Sequence, residues 1–220
     1  VQSRADRFRA TRGLTGSNRR RIEDFIASLD RGDLLRSLNG SIADFGLVAD
    51  LQSQLQVGLD ALETNMSQAI TVDTGYGWDT HSNNAPQTNY FNGFFQVLDG
   101  LVDELQRRPG KTAGTAMFDH TVIAVMSEMS RTPKLNGENG KDHWPHTSMM
   151  LIGPNIRGGR TYGGTDDRME SLPLDLQTGT VSADGSFLST DVIQATLLRA
   201  LGVDPTAHFP GVPLLDAVIG

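Results

Sequence analysis

The sequence predicts an α/β fold, a mostly parallel sheet between helices. Three observations carry this. Apolar residues recur at helical spacing in several long segments. Short β-branched or wholly apolar runs alternate with those segments. One run, Thr121-Val122-Ile123-Ala124-Val125-Met126, is almost continuously apolar, as in a strand covered by helices on both faces. The element order is helix, strand, helix, strand, strand, loops, helix, which is that of an open α/β sandwich.

Residues 1–40 form a basic arm and helix. Gly13 and Gly16 break the arm, Ser17 or Asn18 caps a helix, and Ile22, Phe25, Ile26 and Leu29 give that helix one apolar face before Gly32 stops it. A longer helix is predicted from about Ile42 to Glu63, with Leu47, Leu51, Leu55, Leu59 and Leu62 in one stripe. Ala69-Ile70-Thr71-Val72 reads as a strand ending in the turn Asp73–Gly77. A third helix spans Gln87–Arg107, carries Phe91, Phe94, Phe95, Leu98, Leu101, Val102 and Leu105, and ends at Pro109-Gly110. After the apolar strand comes another, Ser148–Ile152. Residues 153–188, rich in Gly, Asp and Thr, read as long surface loops. A last helix runs from Asp191 to Leu201, with Thr190 as N-cap and Gly202 just past its end.

The composition removes several function classes. The chain has no cysteine, so disulfides, thiolate metal sites and a Cys nucleophile are excluded. No apolar run approaches the ~18 residues of a membrane span, so no transmembrane segment is expected. Net charge is −7, yet residues 1–36 hold nine Arg against five acidic residues. That basic start reads as a solvated helix face. It lacks interleaved aromatic residues and the rest of the chain is strongly acidic, so no nucleic-acid partner is expected.

Ligand-type residues collect at the ends of predicted strands, where α/β sheets bind ligands. In Gly77-Trp78-Asp79-Thr80-His81, positions i and i+2 share a side, so Asp79 and His81 can face one cation. A carboxylate with an imidazole suits zinc, manganese or iron better than calcium. Ser127-Glu128-Met129-Ser130-Arg131-Thr132-Pro133 follows the most apolar strand. Glu128 is a candidate metal ligand there, and Arg131 a candidate catalytic residue that holds an oxyanion with two prongs. Gly140-Lys141-Asp142-His143-Trp144-Pro145-His146 adds Asp142, His143 and His146 as metal candidates. Pro145 argues against a helix that would align the two histidines, so one ligand from the pair is the safer expectation. His120 and His208 read as structural or exposed. The Gly158-Gly159 and Gly163-Gly164 pairs lack the context of a phosphate loop, and no Gly-x-Ser-x-Gly elbow occurs.

Gly77–Asn84, then Ser127-Glu128 with Arg131-Thr132-Pro133, then Asn139–Pro145 together resemble one large bacterial family, the domain of unknown function numbered fifteen-hundred-and-one. The resemblance continues through Gly158-Gly159, Tyr162-Gly163 and Ala195–Gly202, and covers roughly residues 40–215. It implies an exported, periplasmic or surface protein of the twin-arginine pathway, grouped with alkaline phosphatases and sulfatases. It implies a mixed, mostly parallel sheet between helices and one or two divalent metal ions, zinc, manganese or iron. Asp79 and His81 resemble that superfamily's Asp/His ligand pair, Glu128 its acidic ligand after a strand, and His143 a later ligand. Two departures stand out. Met129-Ser130 replaces the family's usual Phe-Gly. The family's N-terminal portion, with its first strand and nucleophile, has no counterpart here, so residues 41–220 resemble the C-terminal part of the domain.

Two main readings follow. The first is a metal-dependent hydrolase of phosphate or sulfate esters. The second is a non-catalytic structural or assembly module in which a second chain, or a preceding segment, completes the fold. A third, a polymer-binding protein, requires Trp78, Trp144 and Tyr162 to be exposed and coplanar.

Overall fold

The computed structural model describes residues 16–37 and 50–220. The chain divides into two compact units, residues 1–75 and 76–220.

In the first unit, helix α1 spans Ser17–Ser37 and α2 spans Leu51–Glu63. The sequence predicts a stop at Gly32, but α1 runs through it. A mid-helix Gly costs only about 1 kcal/mol against Ala, and no Pro stands beside it to break the helix. Helix α2 begins where Asp50 accepts hydrogen bonds from the Ser53 N–H (2.9 Å) and the Ser53 hydroxyl (3.0 Å). Leu51, Leu55 and Leu59 are buried along it. Leu47 and the first turns predicted for that helix lie outside the described residues.

The predicted strand Ala69–Val72 belongs to no ladder among the described residues. It instead lies extended beside α2. Gly58 admits the Ile70 side chain, since a Cβ there would stand 2.4 Å from Ile70 Cδ1. The Gln54 amide donates to the Asp73 carbonyl (3.1 Å) and accepts from the Asp73 N–H (3.3 Å). A side chain thus takes the place of a neighbouring strand.

In the second unit, α3 spans Gln87–Arg107, the bounds the sequence predicts. Strands β1 (Ile123–Val125) and β4 (Met150–Ile152) pair antiparallel, as do β2 (Ser130–Arg131) and β3 (His143–Trp144). The architecture is therefore helices with small sheets, a mixed α/β arrangement, and the described residues hold no parallel ladder. The reason lies in the connection. A parallel pair needs a crossover, usually a helix, and between β1 and β4 the chain forms only the β2–β3 hairpin and its loops. With two strands per sheet, the apolar run Thr121–Met126 is not covered on both faces: Ala124 is exposed and Met126 is 59% exposed. Helix α3 likewise buries only Leu98 and Leu105, while Phe91 is exposed and Phe95 borders an open groove that Ile152 also lines.

The core of this unit sits near the C-terminus. Leu174, Val192, Leu215, Ala217 and Val218 cluster there, with Leu151, Ile156, Tyr162, Leu176 and Val212 packed against them. Helix α4 (Thr190–Ala200) supplies Val192. Its N-cap is Ser189 rather than Thr190, the Ser189 hydroxyl accepting from the Val192 N–H at 3.3 Å. It ends as predicted at Gly202, whose φ of +75° permits paired bonds from Gly202 N–H to Arg199 O and from Val203 N–H to Leu198 O. Thr196 is buried because its hydroxyl donates to Val192 O (2.6 Å) and accepts from the Leu215 N–H (3.0 Å). The segment 153–188, read as surface loops, is stitched into this core. Leu174 bridges to both Val181 and Ser186 and is 2% exposed. No helix among the described residues is long and apolar enough to cross a membrane.

Two outcomes follow for stability. Leu174→Ala should cost about 2–5 kcal/mol in chemical denaturation, the range for a fully buried leucine. Asp175 accepts backbone N–H bonds from Thr178 and Gln177, which hold its carboxyl below the usual range. Its stabilising contribution is therefore present above the unfolded value of about 3.9 and lost as pH falls through the lower, folded value. The gap in thermal midpoint between wild type and Asp175→Ala should be full at neutral pH and close in acid.

Candidate metal centre

The site begins with a short segment of alternating burial. Tyr76 and Trp78 are half-buried and Thr80 is buried, whereas Gly77 and Asp79 between them are exposed, and the half-buried His81 follows. Its backbone satisfies itself locally: the N–H groups of Trp78, Thr80 and His81 each bond to the carbonyl two residues back, at 2.9, 2.9 and 3.2 Å. The inward residues fasten it to α3. Trp78 packs on Phe91 and Tyr90, and Tyr76 stacks on Tyr90. Gln87 donates to Trp78 O (3.1 Å) and to the buried Thr80 hydroxyl (2.8 Å), which itself donates to Asn84 Oδ1. The other face is left free to present Asp79 and His81.

The β2–β3 ladder sets Arg131 directly opposite His143. Ser130 is extended within β2, so no glycine is required there. Its hydroxyl donates to His146 O. The hairpin loop then docks on the Asp79–His81 segment. The Lys141 N–H bonds to Thr80 O (3.0 Å) and the Asn84 N–H to Asn139 O (2.9 Å). Gly140 lies so close that a Cβ would stand 1.7 Å from the His81 carbonyl oxygen. Asn139, with φ of +59°, makes the turn that delivers it.

Here Asp79, His81 and His143 converge. Their ligand atoms lie within 4.8 Å of one another. Asp79 Oδ1 is 3.0 Å from His81 Nε2 and 3.2 Å from His143 Nε2, and the two ring nitrogens are 3.1 Å apart. Arg131 bonds Asp79 Oδ1 through Nη2, and its Nη1 lies 3.3 Å from His81 Nε2 and 3.2 Å from Lys141 O. In the neutral His81 ring, a proton on Nδ1 leaves the lone pair on Nε2, the nitrogen that faces Arg131 Nη1. A carboxylate only accepts, so His81 Nδ1–H donates to Asp142 Oδ1 at 3.2 Å. Asn136 sets Asp142 in place: its Nδ2 donates to Asp142 Oδ1 (3.1 Å) and to His81 O (2.9 Å). Its Oδ1 accepts the N–H groups of Glu138 and Gly140. Asp79 is held below the usual carboxylate range, first by the Arg131 hydrogen bond and then by that of His143. Asp142 is lowered first by His81 and then by Asn136.

Of the residues singled out in the sequence, Asp79, His81, His143 and Arg131 meet at one point. Asp142 lies behind His81, on the far ring nitrogen. Glu128 and His146 lie outside the group. Glu128 is exposed and accepts from the Ser127 hydroxyl at 3.1 Å. His146 Nδ1 takes the Ser171 N–H (3.1 Å) and faces its hydroxyl (3.0 Å). Asn136 was missed. Its signal was the Asn-Gly-x-Asn-Gly spacing of Asn136–Gly140, a turn whose side chain reaches back to its own backbone. The three rings of the polymer-binding reading do not form a platform. Trp78 is wrapped by Tyr76, Tyr90 and Phe91, Trp144 donates to Met169 O (2.9 Å), and Tyr162 packs on the core.

The pattern described as "Protein of unknown function (DUF1501)" matches residues 51–213, which include every residue of this centre. The chain belongs to that family. No curated protein and no solved structure matches it. Within this DUF1501 chain, the docking of the hairpin loop is the joint on which the centre rests. Gly140→Ala should therefore cost on the order of 3 kcal/mol, through backbone overlap rather than a lost side chain. Denaturant unfolding of the variant, with near-ultraviolet circular dichroism of Trp78 and Trp144, measures it.

Proposed function

We infer that this chain binds a divalent metal ion at Asp79, His81 and His143 and serves hydrolysis of phosphate or sulfate esters, as an exported protein of the alkaline phosphatase/sulfatase type. One observation carries the metal reading: a carboxylate oxygen and two imidazole nitrogens meet at 3.0–3.2 Å. Zinc–ligand bonds of ~2.0–2.2 Å in tetrahedral geometry put neighbouring ligand atoms about 3.3 Å apart. The three atoms thus already sit near the corners of one tetrahedral face. The donor set suits zinc, manganese or iron. Asp142 behind His81 is the carboxylate–histidine arrangement that fixes a ligand's tautomer.

When bound, such an ion supplies Lewis-acid polarisation of an ester oxygen and a more acidic water. The chain's own residues do the rest. His81 offers a bare Nε2 when its Nδ1–H donates to Asp142 Oδ1. Asn136 holds Asp142 at that angle. Arg131, its side chain 16% exposed, presents a fixed guanidinium to an oxyanion arriving over the ligands. The flanking hydroxyls are committed to scaffolding: Thr80 binds Asn84, and Thr132 binds Lys134 O and the Asp142 N–H.

A second reading draws on the Arg131 contact. The guanidinium already neutralises Asp79 and joins β2 to the Asp79–His81 segment. A non-catalytic module of an exported assembly, completed by another chain or segment, would use the cluster in that way. Metal content separates the two. Protein purified without chelator should carry a single divalent ion by elemental analysis. Asp79→Ala and His143→Ala should lose it, Glu128→Ala and His146→Ala should keep it, and Asp142→Ala or Asn136→Ala should weaken it about 10–100-fold. Folded wild-type protein that refuses added metal would favour the module.

A further inference from the structure

We propose that Arg131 and the Asp79–His81–His143 group form one composite site that takes a divalent cation and an oxyanion together, each raising the affinity for the other. In this site Arg131 opposes the metal when no anion is present. The inference rests on the metal reading above.

The observation is that two cations are offered the same atoms. Arg131 bonds Asp79 Oδ1 and approaches His81 Nε2, and these are two of the three atoms a metal would use. The guanidinium cannot easily step aside. Its side chain is 16% exposed, its Nη1 is tied to Lys141 O, and its backbone is paired with His143 across the ladder. Asp79, by contrast, has a side chain 70% exposed. A divalent ion at the three ligands would therefore lie beside a fixed positive charge, partly shielded from water, where repulsion is far stronger than in bulk solvent. An anion bridging ion and guanidinium turns that repulsion into two attractions. A group with several oxygens and at least one full negative charge fits, because one oxygen can reach the metal while two face the guanidinium fork. The chemical class is a phosphoryl or sulfuryl group, free or as an ester. Thermodynamic linkage makes the coupling reciprocal.

The test is calorimetric titration of zinc into the full chain, in a buffer free of oxyanions and again with saturating sulfate. Wild type should bind zinc about tenfold or more tightly with sulfate. Arg131→Met should bind zinc more tightly than wild type without sulfate, and sulfate should not help it. Arg131→Lys, which keeps the charge, should retain the sulfate dependence and stands in if the Met variant does not fold. Zinc affinity of wild type that ignores sulfate would overturn the proposal. So would a folded Arg131→Met that binds zinc more weakly in the absence of sulfate, since Arg131 would then only orient Asp79. If neither wild type nor Arg131→Met binds zinc, the metal reading itself falls and takes this one with it.

Discussion

The approach of Gly140 to the His81 carbonyl is the constraint on which the centre depends. Two stretches nearly sixty residues apart meet there backbone to backbone, at a distance no side chain tolerates. The contact cannot stand alone, and two bonds flank it, Lys141 N–H to Thr80 O and Asn84 N–H to Asn139 O. Asn136 closes the arrangement from within the loop, because one amide serves the His81 carbonyl, the Asp142 carboxylate and the loop's own N–H groups. Ligand positions are therefore set by backbone contacts and one buried-facing amide, and the exposed ligands themselves carry little of the fold.

Much of this was legible in the sequence, for identifiable reasons. Helix α3 was readable to the residue because its apolar period is regular and Pro109 punctuates it. Asp79 and His81 were readable because a spacing of two in an extended chain has one geometric meaning. The C-terminal end of α4 was readable because Gly202 has one common use there. The sheet was not readable. An apolar run reports that a strand forms, yet says nothing of partner or direction, and here partnering was decided by the absence of a helical crossover between β1 and β4. The fate of Ala69–Val72 turned on the Gln54 amide, a contact no periodicity announces. The reading of residues 153–188 as surface loops missed Leu174: Leu172, Leu174 and Leu176 do alternate, but the run is short, holds Pro173, and sits among Gly, Asp and Thr.

Within the centre the same division holds. Residue types named the candidates, and the cross-strand register selected among them. Arg131 and His143 meet because they are partners in a ladder two residues long, and three positions further on His146 is drawn to Ser171 instead. Asn136 escaped notice because Asn-Gly pairs are usual turn formers, and its second duty appears only when both motifs are in place.

The alternation at Tyr76–His81 has a consequence for how such a chain changes over time. One register carries anchors to α3 and the other carries ligands, so the two sets of side chains are written in the same six residues without sharing a position. Point substitutions can retune the ligand register, toward a different ion or to none, while the anchors persist. A single-residue insertion or deletion exchanges the two registers at once, sending Asp and His toward the aromatic cluster and Trp toward solvent. The segment is thus permissive to spelling and intolerant of length, and divergence in this family should be sought in substitutions here and in length changes elsewhere.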